Sequence, residues 1–248
     1  MSTLKKNIEK LNELNTSLEQ TLYGTDTGGK SYYDEFWDSF QNEGDPKRYS
    51  YAFYGWNRNI FYPKHDIICS SNMGSMFHFF EQFDSNPFDL SARLKECGVI
   101  LDTSGATTGG SYVFYYTSFS KIPKIDLTGL SDGEKLTYMF GENFFLVEIE
   151  KLIVKEGNVF NVSFSDCTKL EKIEIEGVIG SIFDIKSSPL NKESIESIIN
   201  HLSNNVVDTL ILKKTAVINA FGENYENNAD WLKITTPKIT AGWTINLS

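Results

Sequence analysis

The strongest constraint on how this chain can fold is a short pattern rewritten at a step of 24 residues. Ile122, Leu146 and Leu170 form one column of it, and Ile125, Ile149 and Ile173 form another. Three further columns keep the step: Tyr116, Phe140 and Phe164; Phe119, Asn143 and Cys167; and the acidic Asp126, Glu150 and Glu174. Leu101-Asp102 stands one step upstream of Ile125-Asp126. A fixed period in the twenties that carries L-x-x-I-x-I, with Cys or Asn three residues before it, is the mark of leucine-rich repeats. One copy cannot bury its own apolar face, so copies stack and each adds a strand to a parallel sheet. The expected fold is an α/β solenoid.

A chain of 248 residues, 40% of them hydrophobic, has enough apolar surface for a full core. A formal charge of −10 argues against a nucleic-acid partner, because binding phosphate backbones needs clustered Lys and Arg that this sequence lacks. Cys69, Cys97 and Cys167 are odd in number and lack C-x-x-C spacing, which predicts buried thiols and no metal site. No stretch approaches the ~20 apolar residues of a membrane span, and Met1 to Lys6 lead into a polar helix where a signal peptide would have an apolar core. The expectation is a chain that does not insert in membranes and is not exported by the general secretory route.

Residues 1–23 carry a heptad pattern, with Leu4, Leu11 and Leu18 at d and Ile8, Asn15 and Leu22 at a. Asn15 at a favours an in-register parallel partner, so these six residues are the expected oligomerisation seam of a parallel dimer or trimer; a lone amphipathic helix packed on the body is the other reading. A glycine-rich linker follows over 24–30. Residues 31–97 hold an aromatic N-terminal cap and an irregular first repeat. There Tyr33, Phe36, Trp37 and Phe40 make a helix face, Trp56 sits on a turn, Ile67-Ile68 enters the sheet, and Leu90 to Cys97 is helical. The repeats run over 98–212, including a helix after an Asn191 N-cap, with Ile195, Ile198, Ile199 and Leu202 on one face, and a strand over Val206–Leu212. Residues 213–248 are the C-terminal cap, ending in a strand.

Several segments in this order resemble one family: Tyr33 to Asp38, Tyr51 to Trp56, Phe61 to Lys64, Leu94 to Val99, Gly177 to Gly180, Ser188 to Leu190 and Trp243-Thr244. Together they look like the BspA-type leucine-rich-repeat proteins of Gram-positive gut bacteria and their prophages, over residues 30–248. His65 departs from the family's usual aromatic after Pro63-Lys64. The resemblance implies a recognition protein with no catalytic set, and for many members a place in tail or baseplate gene clusters.

The residues themselves assemble no enzyme. His65, His78 and His201 are the only histidines; His78 reads as a satisfied core residue and His201 as a solvated one, and no H-E-x-x-H, G-x-S-x-G or phosphate-cradling loop occurs. No cofactor or metal is expected. In L-x-x-I-x-I the positions between the apolar ones face outward, which puts Lys124, Glu148 and Lys172 in one row and Asp126, Glu150 and Glu174 in the next. These six and Trp56 are the candidate ligand-binding residues, for a cationic or hydroxyl-rich ligand; a plain solvated charge ladder is the competing reading. The expected protein is tail-associated, assembled in the cytoplasm, carried on the virion with other tail proteins, and directed at a host-surface protein or glycan. The alternative is a bacterial cell-surface adhesin.

Overall fold

The computed structural model describes residues 51–81 and 86–248. The expected coil of Leu4, Ile8, Leu11, Asn15, Leu18 and Leu22, the linker, and the helix face of Tyr33, Phe36, Trp37 and Phe40 lie outside the described residues. What is described is a mixed α/β fold built on a curled, parallel β-sheet.

Five turns with a common form stack on one another. In each, the first and fifth residues adopt positive φ and the third is phenylalanine: Tyr51–Gly55, Ser75–Phe79, Tyr112–Tyr116, Tyr138–Glu142 and Val162–Asp166. Left-handed backbone costs an L-residue about 1–2 kcal/mol, and Tyr112, Tyr116, Tyr138 and Val162 all adopt it with bulky side chains. The compensation is a ladder of main-chain bonds. In every turn from the first to the fourth, the first, third and fifth N–H groups donate to carbonyls of the next turn. Tyr112 donates to Thr137, Phe114 to Met139 and Tyr116 to Gly141, at 2.9, 2.8 and 3.0 Å. The central Phe53, Phe77, Phe114, Phe140 and Phe164 form a continuous buried stack, with ring centroids 5.0, 5.4, 5.5 and 5.2 Å apart in turn.

This stack corrects the expected columns. Phe114 lies over Phe140, while Tyr116 stands beside Gly141 and Glu142, because the step from the third turn to the fourth is 26 residues. Thr117, two residues before Phe119, is the counterpart of Asn143. Buried Asn143 accepts from the Thr117 N–H and hydroxyl at 2.8 and 2.7 Å and donates to the carbonyls of Phe114 and Phe140 at 2.6 and 2.8 Å, so its whole amide is used. Cys167 points its Sγ at the same Phe140 carbonyl, 3.0 Å away.

The strands follow. β1 (Ile67–Ile68) pairs with β3 (Leu101–Asp102), and β2 (Phe88–Asp89) with β4 (Phe119–Ile122). The seven-residue β6 (Glu148–Val154) takes β4 along its first half and β5 (Ile125–Asp126) along its second, and β7 (Lys172–Gly177) along its other edge. The 24-residue step holds where β6 and β7 begin, with Ile149 facing Ile173, and shortens to 23 past an irregularity, with Leu152 facing Ile175. It fails one strand earlier, where Ile122 faces Ile149 and Ile125 faces Leu152, 27 residues on. Phe119, Ile122 and Ile125 are apolar at a spacing of three, so sliding by three still buries an apolar residue at every position. The period alone does not distinguish the two registers.

α1 (Leu90–Cys97) starts on Asp89, whose carboxylate accepts from Ala92 N, and ends at Gly98 in the left-handed region at φ 69°. It fills the 37-residue step between the second and third turns. Downstream, β8 (Phe183–Asp184) is a strand the sequence reading missed, and β9 begins at Thr209, three residues later than expected (Thr209–Leu212). α2 (Lys192–Asn200) is capped by Asn191 as expected, and buries Ile195, Ile198 and Ile199. Its Ser194 and Ser197 hydroxyls accept from Ile173 N and Ile175 N at 2.9 and 2.8 Å, closing the outer edge of β7. α3 (Lys214–Phe221) and α4 (Ala229–Thr240) precede β10 (Thr244–Leu247), which pairs in parallel with β9.

Candidate functional site

The outward face of β4, β6 and β7 is charged as expected, but Lys124 and Asp126 do not take their expected places in it. Lys121, not Lys124, lies opposite Glu148, which in turn faces Lys172. The alternation in sign survives. Glu148 Oε2 is 3.2 Å from Lys121 Nζ and Oε1 is 2.6 Å from Lys172 Nζ. Burial pushes the Glu148 carboxyl up, but the two lysine hydrogen bonds and charges outweigh it and hold it below the usual carboxylate range.

The expected stack of Asp126, Glu150 and Glu174 does not form. The 27-residue register puts Asp126 opposite Ile153, and its Oδ1 is taken by the Thr128 N–H and hydroxyl at 2.9 and 2.6 Å. Glu150 faces Lys121 Nζ at 3.1 Å, and Glu174 faces Lys151 Nζ at 2.9 Å, with Glu176 at 3.2 Å from the same nitrogen. Lys121 is thus shared by Glu148 and Glu150, and Lys151 by Glu174 and Glu176, so each of these glutamates has an ammonium partner, and exposed pairs of this kind contribute little to stability.

Lys124 and Glu150 both line a cleft of about 460 Å³ beside α1. Leu94, Val99 and Leu101 line its apolar side, and Ser91, Lys95 and Asp102 join the two predicted residues among its polar groups. Hydrogen bonds from Ser104, foremost, hold the Asp102 carboxyl below its ordinary range, with Lys124 adding a smaller favourable charge.

Trp56 sits on its turn as expected but is half-buried, meeting Phe53 and Phe61 edge-on with centroids 5.3 and 6.5 Å away. The accessible aromatics are its neighbours. First, fourth and fifth positions of the stacked turns point outward and form a ribbon of Tyr51, Tyr54, His78, Phe79, Tyr112, Tyr115, Tyr116 and Tyr138. Tyr51 is 62% exposed and Tyr54 43%, and the others are half-buried. His78 lies among Tyr54, Phe79, Tyr112 and Tyr115, and neither ring nitrogen has a hydrogen-bond partner among the described residues. This corrects the expectation of a satisfied histidine: the surrounding aromatics meet it through their rings, and none brings a hydroxyl within hydrogen-bond reach. Burial lowers its pKa and favours the neutral imidazole. Tyr115 donates to Glu142 at 2.6 Å. The signal for this ribbon was in the sequence as five copies of x-x-Phe-x-x, three of them carrying Tyr beside the Phe, and the apolar columns of the strands masked it.

His201 is half-buried at the end of α2, with Nδ1 2.7 Å from the Ser197 carbonyl. Cys69 and Cys167 are buried, Cys97 is partly exposed, and all three are free. Burial pushes the Cys167 thiol up to about 12. Among the described residues no group of three or more His, Cys, Asp or Glu is placed to hold a metal ion, and no helix is long and apolar enough to cross a membrane. Compared with protein-family models, curated proteins and solved structures, the chain matches none of them.

Proposed function

We propose that this chain is a non-catalytic recognition protein of the BspA-like leucine-rich-repeat type, a solenoid carried on a phage or prophage tail and directed at the host surface. The observation that carries the reading is the aromatic ribbon. Stacked turns hold tyrosines, with His78 and Phe79 among them, side by side on a backbone fixed by the main-chain ladder, and tyrosine gives a large contact area with a polar tip at low entropic cost. Contiguous exposed aromatics of this kind mark contact surfaces. The partner in this reading is a host-surface protein or glycan. The heptad at 1–23 gathers two or three copies, so that weak contacts act together.

The test has two parts. Mass spectrometry of purified tail particles should find the chain at a stoichiometry fixed relative to the other tail proteins. The labelled full chain should bind host cells, and Tyr51→Ala combined with Tyr54→Ala, both exposed, should reduce that binding without changing the melting temperature. Absence from particles together with presence on cells would make the protein an adhesin, and cell binding indifferent to the two tyrosines would remove the ribbon from the account.

A further inference from the structure

The cleft beside α1 supports a second site, independent of the contact face proposed above. Its volume of about 460 Å³ lies within the range of pockets that take small ligands. Leu94, Val99 and Leu101, all buried, give it an apolar floor. The polar groups around that floor fall into two sets. Asp102 already accepts from Ser104 N at 2.9 Å, and Glu150 already faces Lys121 at 3.1 Å. The ammonium groups of Lys95 and Lys124 make no ion pair among the described residues, and the Ser91 hydroxyl oxygen is buried without a hydrogen-bond partner. The unengaged set is made of donors. A buried hydroxyl left without a partner is costly, so an acceptor suits this position, and two ammonium groups without an ion pair, of which Lys124 feels only the more distant charge of Asp102, favour one that is charged. Asp102 and Glu150 in the same lining disfavour a dianion such as a phosphate monoester.

We propose that the cleft binds a small apolar carboxylate, with its hydrocarbon on Leu94, Val99 and Leu101 and its carboxylate taken by Lys95, Lys124 and Ser91. The site is distinct from the aromatic ribbon and needs no second copy of the chain.

Titration calorimetry of the full chain with four probes of one chain length tests this: decanoate, decanol, decyltrimethylammonium and decyl phosphate. Decanoate should bind saturably and most tightly of the four. Lys95→Met with Lys124→Met should weaken it about tenfold or more, and Ser91→Ala about threefold. Lys233→Met, exposed on α4 away from the cleft, should leave it unchanged. The proposal is overturned if decanoate does not saturate, if decanol, the ammonium or the phosphate binds as tightly, or if the double lysine variant binds as the parent does. The comparison among probes on the unaltered chain decides the matter even if a variant folds poorly. Neither result bears on whether the ribbon contacts a host.

Discussion

Phe114 and Phe140 lie face to face, their ring centroids 5.5 Å apart and their planes within 2° of parallel, although 26 residues separate them in the chain. The pair is the middle of a stack that continues to Phe77 at 5.4 Å and Phe164 at 5.2 Å, so each ring is a wall of the site that holds the next. Left-handed backbone in the turns around them persists because this packing and the main-chain ladder over-determine it.

Phe140→Ala should therefore destabilise the chain by about 3–5 kcal/mol, since it opens a cavity bounded by two rings that cannot close together. Urea denaturation measures it. Tyr51→Ala, on the exposed side of the same array, should change the unfolding free energy by less than about 0.5 kcal/mol.

At Asn143 the chemistry can be separated from the volume. Asn143→Ala leaves the Thr117 N–H and the Phe114 carbonyl without their side-chain partner in a buried place, and should cost roughly 2–4 kcal/mol. Asn143→Cys should recover part of this, because Cys167 occupies the equivalent position of the next turn and reaches the Phe140 carbonyl. Equal stability of the Ala and Cys variants would show that the carbonyl contact contributes nothing.

Glu81 is a third sensitive point. Its side chain is 2% exposed, accepts from Arg58 Nε and Nη2 at 2.7 Å each, and also takes the Ser118 hydroxyl at 2.9 Å. Removing one member of such a pair strands the other, so Glu81→Ala should lower stability by about 3 kcal/mol. Thermal unfolding of the variant beside the parent gives the value.

His78 predicts a pH dependence. Burial lowers its folded pKa below the unfolded 6.5, so the unfolded chain binds a proton first as pH falls. Stability from this residue is complete above pH 6.5, declines as pH drops from there to the folded pKa, and levels off below it. His78→Phe should remove that part of the decline while leaving stability near pH 8 nearly unchanged. The difference between the two denaturation profiles across pH 4–8 measures it, and parallel profiles would exclude His78 as the titrating group.

The elements most legible in the sequence were those with two independent signals. α1 is bounded by Asp89 and Gly98 as well as by apolar spacing, and α2 combines Asn191 with the Ile195, Ile198, Ile199 face; both were found. Glu148 and Lys172 were placed correctly because one step of 24 aligns both the strands and the turns before them. Lys124, Asp126 and the Tyr116 column were misplaced where a turn lengthens by two residues and a strand by one more. Apolar residues three apart hide that change from a periodicity count. β8 was missed because two residues, Phe183 and Asp184, carry no alternation to detect. The cleft beside α1 joins Lys95 to Lys124 and Glu150 across three elements, a proximity that depends on the 37-residue step folding back.

Ser194 and Ser197 give α2 a role that its apolar face does not reveal. A strand edge ordinarily offers its N–H groups as a template on which another strand can grow, from the same molecule or a different one. Here two hydroxyls occupy that template at Ile173 and Ile175. They act as a stop signal written in side chains, so the number of strands on this side is set by the sequence of the following helix, and the finished edge is closed to fibrous self-assembly.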